Sequence, residues 1–279
     1  MTGRAFRPPQ KNNVVQYKAA AGLAAGLGGK KRVENNGRQM KKCAVIYSGG
    51  KDSHLALLEA ASSGAKIACL VSFDGGAGHA EYFNDYRKPE LVAAHAGLLG
   101  VPAVILKTGP DFRVKALARN VALMARAARE ACGADTLVSG VARCRCGGKI
   151  DSWRKAAARA GFGLDAPVIG FDLIYAVRLC LELGVRALIT GVEAKKVDRR
   201  WLGRELDGEF LAYLSAEKKA GRTVDGSDLQ TLVLESPAFA GRVIPLKLVP
   251  GRIAGQELLK VEKFRVVRGR RRAGAWNRG

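Results

Sequence analysis

The sequence predicts a doubly wound, parallel five-stranded α/β sheet followed by a smaller C-terminal α+β lobe. Three observations predict it. From Cys43 to Gly191, short apolar runs alternate with longer stretches of helical periodicity. The apolar runs are nearly continuous, as in strands covered on both faces. After Gly191 that rhythm stops, and a polar, charged stretch leads into further strand-like runs. The 279 residues are 48 % hydrophobic, enough for a sizeable core, and only 6 % aromatic, so Ala, Val and Leu must fill it.

The elements follow in order. "CAVIY" (43–47) reads as the first strand and "SHLALLEAASSG" (53–64) as a helix stopped by Gly64. "KIACLVSF" (66–73) is the second strand. "PELVAAHAGLLG" (89–100) is a helix with Pro89 in its first turn and Gly100 beyond its end. "PAVILK" (102–107) is the third strand, residues 112–133 a long helix, and "ADTLVSG" (134–140) the fourth strand. Helices are predicted over 151–161 and 171–184, with "VRALITG" (185–191) as the fifth strand of the sheet. The predicted lobe, 192–268, has one or two helices and strands near 230–235, 242–248 and 260–268.

Residues 1–39 differ in character. They carry eight Lys and Arg against the single acid Glu34, and read as a basic, unstructured arm. Met40 stands directly before the first strand of the core, so it is an alternative start. Residues 269–279, "GRRRAGAWNRG", form a basic tail. The net charge of +22 points to polyanionic partners such as RNA or the ribosome, unless it is a compositional habit of the lineage. No apolar run reaches the roughly 18–20 residues of a membrane helix, and the reading is a cytoplasmic protein. Six cysteines in a chain this long are no disulfide framework; Cys43, Cys69 and Cys180 lie in apolar runs as small core residues.

The chemistry concentrates in "SGGKDS" (Ser48–Ser53), between the first strand and first helix. In doubly wound sheets ligands bind beyond the carboxyl ends of strands. Gly49 and Gly50 let backbone amides approach an anion. The helix start adds free N–H groups and a positive dipole end. Ser48 and Ser53 add hydroxyls, Lys51 adds charge, and His54 is placed to touch phosphate or adenine. A Walker A loop is excluded, because Asp52 follows the lysine where Ser or Thr is needed.

Strand–"SGGKDS"–helix resembles the PP-loop of ATP pyrophosphatases, the adenine nucleotide alpha hydrolase-like fold. Three further stretches narrow the resemblance to diphthine–ammonia ligases: "EYFNDYRKPELVAAHAGLLGVPAVIL" (81–106), "GVEAKKVDRRWLGRELDGEFLAYL" (191–214) with its "LGR-x-LD" core, and "DGSDLQTLVLESPAF" (225–239). With the loop, the likeness covers roughly residues 40–245. Asp225 and Asp228 stand where that family has glutamates, Ser227 where it has glycine, and Asn84 where it has histidine.

The resemblance implies ATP and Mg²⁺ as cofactors, with ATP held by Ser48, Gly49, Gly50, Lys51, Asp52, Ser53 and His54. It implies amidation of diphthine on translation elongation factor 2 with ammonia, through an adenylated carboxylate. Lys51, Asp52, Asp225 and Asp228 are its candidate catalytic residues, and Asp52 orients the loop or holds Mg²⁺. Tyr82, Trp201, Arg204, Asp225 and Asp228 are candidates for substrate binding, since acids and aromatics suit a quaternary ammonium. Packing is the alternative reading of Trp201, and the two aspartates leave metal binding, cation binding and positioning of ammonia open. Cys144 and Cys146, with Cys132 as a third thiol, leave open a metal or sulfur site, while Arg143, Arg145 and Lys149 beside them equally suit phosphates. An RNA-modifying PP-loop enzyme (tRNA thiolation or ligation) and a non-catalytic nucleotide-binding protein are the competing readings.

Overall fold

A computed structural model describes residues 14–17, 40–74, 89–107, 114–142, 149–253 and 255–269. The central sheet has six strands: β1 (Val14–Tyr17), β2 (Lys42–Ile46), β3 (Lys66–Asp74), β4 (Ala103–Lys107), β5 (Thr136–Ser139) and β6 (Gly163–Asp165). Their order is β1-β4-β3-β2-β5-β6, and β4 through β6 pair in parallel as five strands. Successive residues of β2 point to opposite faces, so Cys43, Val45 and Tyr47 enter one core and Ala44 and Ile46 the other. Helices α1 (Lys51–Ser62) and α2 (Pro89–Leu99) cover the first face. Helices α3 (Val114–Cys132) and α4 (Lys149–Arg159) cover the second.

Two strands differ from the sequence reading. The run 185–191, expected as the fifth parallel strand, forms β7 (Arg186–Glu193), which pairs antiparallel in a second sheet. The fifth parallel strand is instead the three-residue β6, too short to leave a periodic signal. Ala187–Val192 of β7 are buried in succession, on both faces of the strand, so the run reads like a buried parallel strand. The other difference is β1, which lies within the segment read as an unstructured arm. Val14–Tyr17 is β-branched and aromatic, and it pairs antiparallel along the edge of β4.

After α5 (Leu173–Glu182), β7 closes a four-stranded barrel with β8 (Leu229–Glu235), β9 (Gly241–Ile253) and β10 (Gln256–Arg268), while α6 (Gly208–Lys219) packs on α5. The barrel is not a detached unit. Leu188, Ile189, Leu232, Val233 and Val261 share one apolar cluster with Leu55 and Leu57 of α1. The cysteines expected in the core are there: Cys43, Cys69 and Cys180 are buried. Burial pushes the Cys43 thiol up to about 11 and the Cys180 thiol up to about 12. Cys132 is half-buried and hydrogen-bonded to Cys69, which lowers its thiol pKa.

Beneath the start of α1 lies a closed polar knot. The Tyr47 hydroxyl reaches Nδ1 of His54 (3.0 Å) and Nδ1 of His95 (3.1 Å). His54 Nε2 meets Ser236 Oγ at 2.7 Å, and Phe239 stacks edge-on against the His54 ring. Burial, with the neighbouring His95 second, pushes the His54 pKa down to about 3. The ring is therefore neutral in the fold but gains a proton readily in the unfolded chain below its ordinary 6.5. Stability from this residue is complete above pH 6.5 and falls as pH drops toward 3, by about 1.4 kcal/mol per pH unit. Urea midpoints at pH 7.0 and 5.0 should show this loss, and it should shrink in His54→Gln.

Candidate nucleotide site and its family

The order of the parallel strands puts the point where the chain reverses direction between β2 and β5. Ser48–Ser53 follows β2 at that crevice, where doubly wound sheets bind ligands. Gly49 has φ 78°, a left-handed turn that lets the chain leave the strand sharply. Gly50 is the N-cap of α1 and Lys51 opens the helix, whose first amides lack partners within the helix.

Close packing sets the loop from the β5 side. A Cβ on Gly140 would stand 2.6 Å from both Cα and N of Ser53. Only glycine lets the end of β5 lie this near the helix start. The hydroxyls then brace the turn: Ser53 Oγ donates to the Gly50 carbonyl (3.0 Å) and accepts from the Ser48 amide (3.2 Å).

The barrel fixes the other side. The Lys51 amide donates to Thr231 Oγ1 (3.0 Å), and the Val233 amide donates to the Gly49 carbonyl (2.9 Å). Both bonds come from β8. Among the described residues, the amides of Gly49, Asp52 and Ser53 have no protein acceptor. They form an anion cradle at a helix N-terminus.

The charged side chains are arranged less simply than the sequence suggests. The Lys51 side chain is 1 % exposed, and its ammonium donates to Asp52 Oδ2 at 2.9 Å. The Lys51 ammonium thus lies against Asp52 at the edge of the loop. Asp52 is the more exposed partner, at 30 %. His54, expected to touch phosphate or adenine, is wholly buried, with one ring nitrogen on Tyr47 and the other on Ser236. It supports the loop from below and does not line the cradle.

The acidic turn lies beside this loop. A Cβ on Gly226 would come within 4.0 Å of Asp52 Oδ2. Asp225 and Asp228 cap each other's backbone in a single 3-10 turn that leads into β8. The Asp225 amide donates to Asp228 Oδ2 (2.9 Å), and the Ser227 amide donates to Asp225 Oδ1 (2.9 Å). Asp228 is 4 % exposed, and Lys196 donates to both its oxygens at 2.9 and 3.1 Å. Lys196 is a site residue the sequence reading missed. Nothing in its local pattern marks it, because its partner lies 32 residues ahead.

The proposed substrate residues divide. Trp201 is 2 % exposed and packs edge-on against Phe210, with the guanidinium groups of Arg204 and Arg200 over its ring at 4.7 and 5.2 Å. Arg204 pairs with Asp207 and Glu209. Both residues border an open groove of about 420 Å³ along α6, and no residue of the 48–53 loop lines it. Tyr82, Asn84, His79, Cys144 and Cys146 lie outside the described residues.

Two family profiles match this layout. The diphthamide synthase N-terminal domain matches residues 40–141, which hold strands β2 to β5 and the cradle, and the diphthamide synthase C-terminal domain matches residues 173–253, which hold the acidic turn and strands β7 to β9 of the barrel. Together they span more than half of the chain. The chain belongs to the diphthamide synthase family. A solved structure described as a predicted subunit of tRNA methyltransferase from Methanocaldococcus jannaschii is 15 % identical, covers 71 % of this chain and 98 % of its own, and superposes with a TM-score of 0.39. No curated protein matches the sequence. The β8–loop contact joins the two matched regions, with the cradle in one and the acidic turn in the other.

Two substitutions test the geometry. Gly140→Ala should push the loop away from β5 and cost about 1–3 kcal/mol, read as a lower urea midpoint. Lys196→Met leaves the buried Asp228 carboxylate without its counter-ion. Because Lys196 is itself 35 % exposed, the loss should be about 1–3 kcal/mol, below that of a fully buried pair, and Lys196→Met/Asp228→Asn should recover most of it.

Proposed function

We propose that this member of the diphthamide synthase family binds ATP in the 48–53 cradle and amidates diphthine on translation elongation factor 2 with ammonia, releasing AMP and pyrophosphate. The observation that carries the reading is the cradle itself: three unpartnered amides at a helix start, held against an acidic turn by β8. The amides of Gly49, Asp52 and Ser53 and the Ser48 hydroxyl would donate to oxygens of the β- and γ-phosphates. Fixed N–H dipoles of this kind stabilise charge that develops on a leaving pyrophosphate without reorganising.

In this reading a carboxylate oxygen of diphthine attacks the α-phosphorus and the bond to the β-phosphate oxygen breaks. Ammonia then adds to the adenylated carboxyl, AMP leaves, and the nitrogen gives up its extra proton as the amide forms. Asp52 is the residue suited to Mg²⁺: a partly exposed carboxylate beside the phosphate cradle, and Mg²⁺ commonly takes one or two carboxylates with phosphate oxygens. When bound there, the ion would neutralise phosphate charge. Among the described residues no three His, Cys, Asp or Glu side chains converge, so substrate oxygens would complete its shell.

Asp228, with both oxygens on Lys196 and the Asp225 amide, is proposed as a positioning residue that shapes the turn. Asp225 is proposed as the member of the pair that meets the cationic substrate or ammonia. No helix among the described residues is long and apolar enough to cross a membrane.

The test supplies ATP, ammonium and either diphthine-bearing elongation factor 2 or total tRNA, and follows pyrophosphate and AMP. Release dependent on the factor is expected. Release with tRNA alone would replace this reading with an RNA-modifying one. Asp52→Ala should lower turnover by roughly 10²–10³-fold, the scale of losing one fixed electrostatic contact, and because it leaves the buried Lys51 ammonium without its partner its urea midpoint should fall as well, so turnover is read at a temperature where the variant is folded.

A further inference from the structure

We propose that the outer face of the β9–β10 ribbon is a docking surface for an RNA strand. The two strands run 13 residues each, the longest in the molecule, and pair over most of their length. Their register sorts the side chains. Val243, Leu248, Val261, Phe264 and Val266 share one face and pack into the core. The irregularities around Glu262 and Leu246 keep that face inward along the whole ribbon. The opposite face therefore carries Arg242, Lys247, Lys260, Lys263 and Arg265, all exposed.

Five cations on one face of two strands need counter-charges, and few are present. Glu262 pairs with Lys247. Glu235 stands opposite Arg242 in the register, but it accepts from Arg186. Arg242, Lys260, Lys263 and Arg265 make no ion pair among the described residues. Same-face residues on a strand lie about 6.8 Å apart, so Lys263 and Arg265, with Arg242 and Lys260 on the same face, spread their charge along the ribbon rather than into a single pocket. Such a spread suits an extended polyanion whose charges repeat along a backbone. Between the cations stand the half-buried Ile244, Val249 and Val267 and the exposed Leu246. The chain continues past Gly269 with Arg270, Arg271 and Arg272, and the whole protein carries +22.

The choice of RNA rests on the proposed function, since a translation factor works on the RNA of the ribosome. The surface itself rests only on charge and register. It would hold the ligase near its protein substrate without taking part in the chemistry.

The experiment measures anisotropy of a 5′-labelled, mixed-sequence oligoribonucleotide with the full chain, in the absence of ATP, over a salt series. The triple variant Arg242→Glu/Lys263→Glu/Arg265→Glu should bind at least tenfold more weakly, and its log-affinity against log-salt slope should be shallower by about 2, for three lost phosphate contacts on a single strand. Pyrophosphate release with isolated elongation factor 2 should not change. If the glutamate variant folds poorly, the matching glutamine variant gives the same comparison. Undiminished RNA binding in either variant overturns the proposal, because the basic ends of the chain would then carry it. Equal binding of polyglutamate, of phosphatidylserine vesicles or of a matched DNA strand also overturns it. Because binding is read without ATP, its failure is separate from any failure of amidation.

Discussion

Two hydrogen bonds from one strand organise this molecule. Thr231 takes the first amide of α1, and Val233 gives its own amide to the Gly49 carbonyl. A glycine-rich turn has many conformations available and loses much entropy on being fixed. Here β8 fixes it from one side, while Gly140, with no Cβ, lets β5 close from the other. The amides left over are those a phosphate can use. The cradle is therefore not a property of "SGGKDS" alone. It exists because a strand from a second sheet, some 180 residues later, bonds to it.

The same strand explains why the two matched domains act as one. β8 starts at the Asp225–Asp228 turn and ends near Ser236, whose hydroxyl holds His54 behind the loop. Acidic turn, cradle and buried histidine are thus strung along seven residues of extended backbone. A displacement of β8 would move all three together. The Lys196–Asp228 pair steadies the head of that strand. Removing the lysine leaves a nearly buried carboxylate exposed to its desolvation cost, so Lys196 matters to the site although it touches no proposed reactant.

The charge distribution has two scales. Near the loop, charges are matched locally: Lys51 with Asp52, and Lys196 with Asp228. On the outer ribbon face they are not, and the surplus is carried by side chains that the register forces outward. Local matching suits a site that must hold a small polyanion at defined points. An unmatched row suits a long partner gripped by many weak contacts.

Much was legible in the sequence, for identifiable reasons. The alternation of apolar runs and helical periods marks the sheet because a buried parallel strand and an amphipathic helix impose different periods on the chain. The glycines, serines and lysine of residues 48–53 mark the loop because few residue types tolerate that turn beside an anion. What stayed hidden depends on partners distant in sequence. Whether 185–191 joins the parallel sheet or the barrel is decided by which strands flank it, since both settings bury both faces. The three residues of β6 are too few to show a period. That His54 turns inward depends on Tyr47 and Ser236, that Lys51 lies against Asp52 depends on its burial, and that Lys196 neutralises Asp228 depends on the fold bringing them together. Residue types set what the chain could bind; only the packing of the barrel strand on the loop decided which atoms are free to bind it.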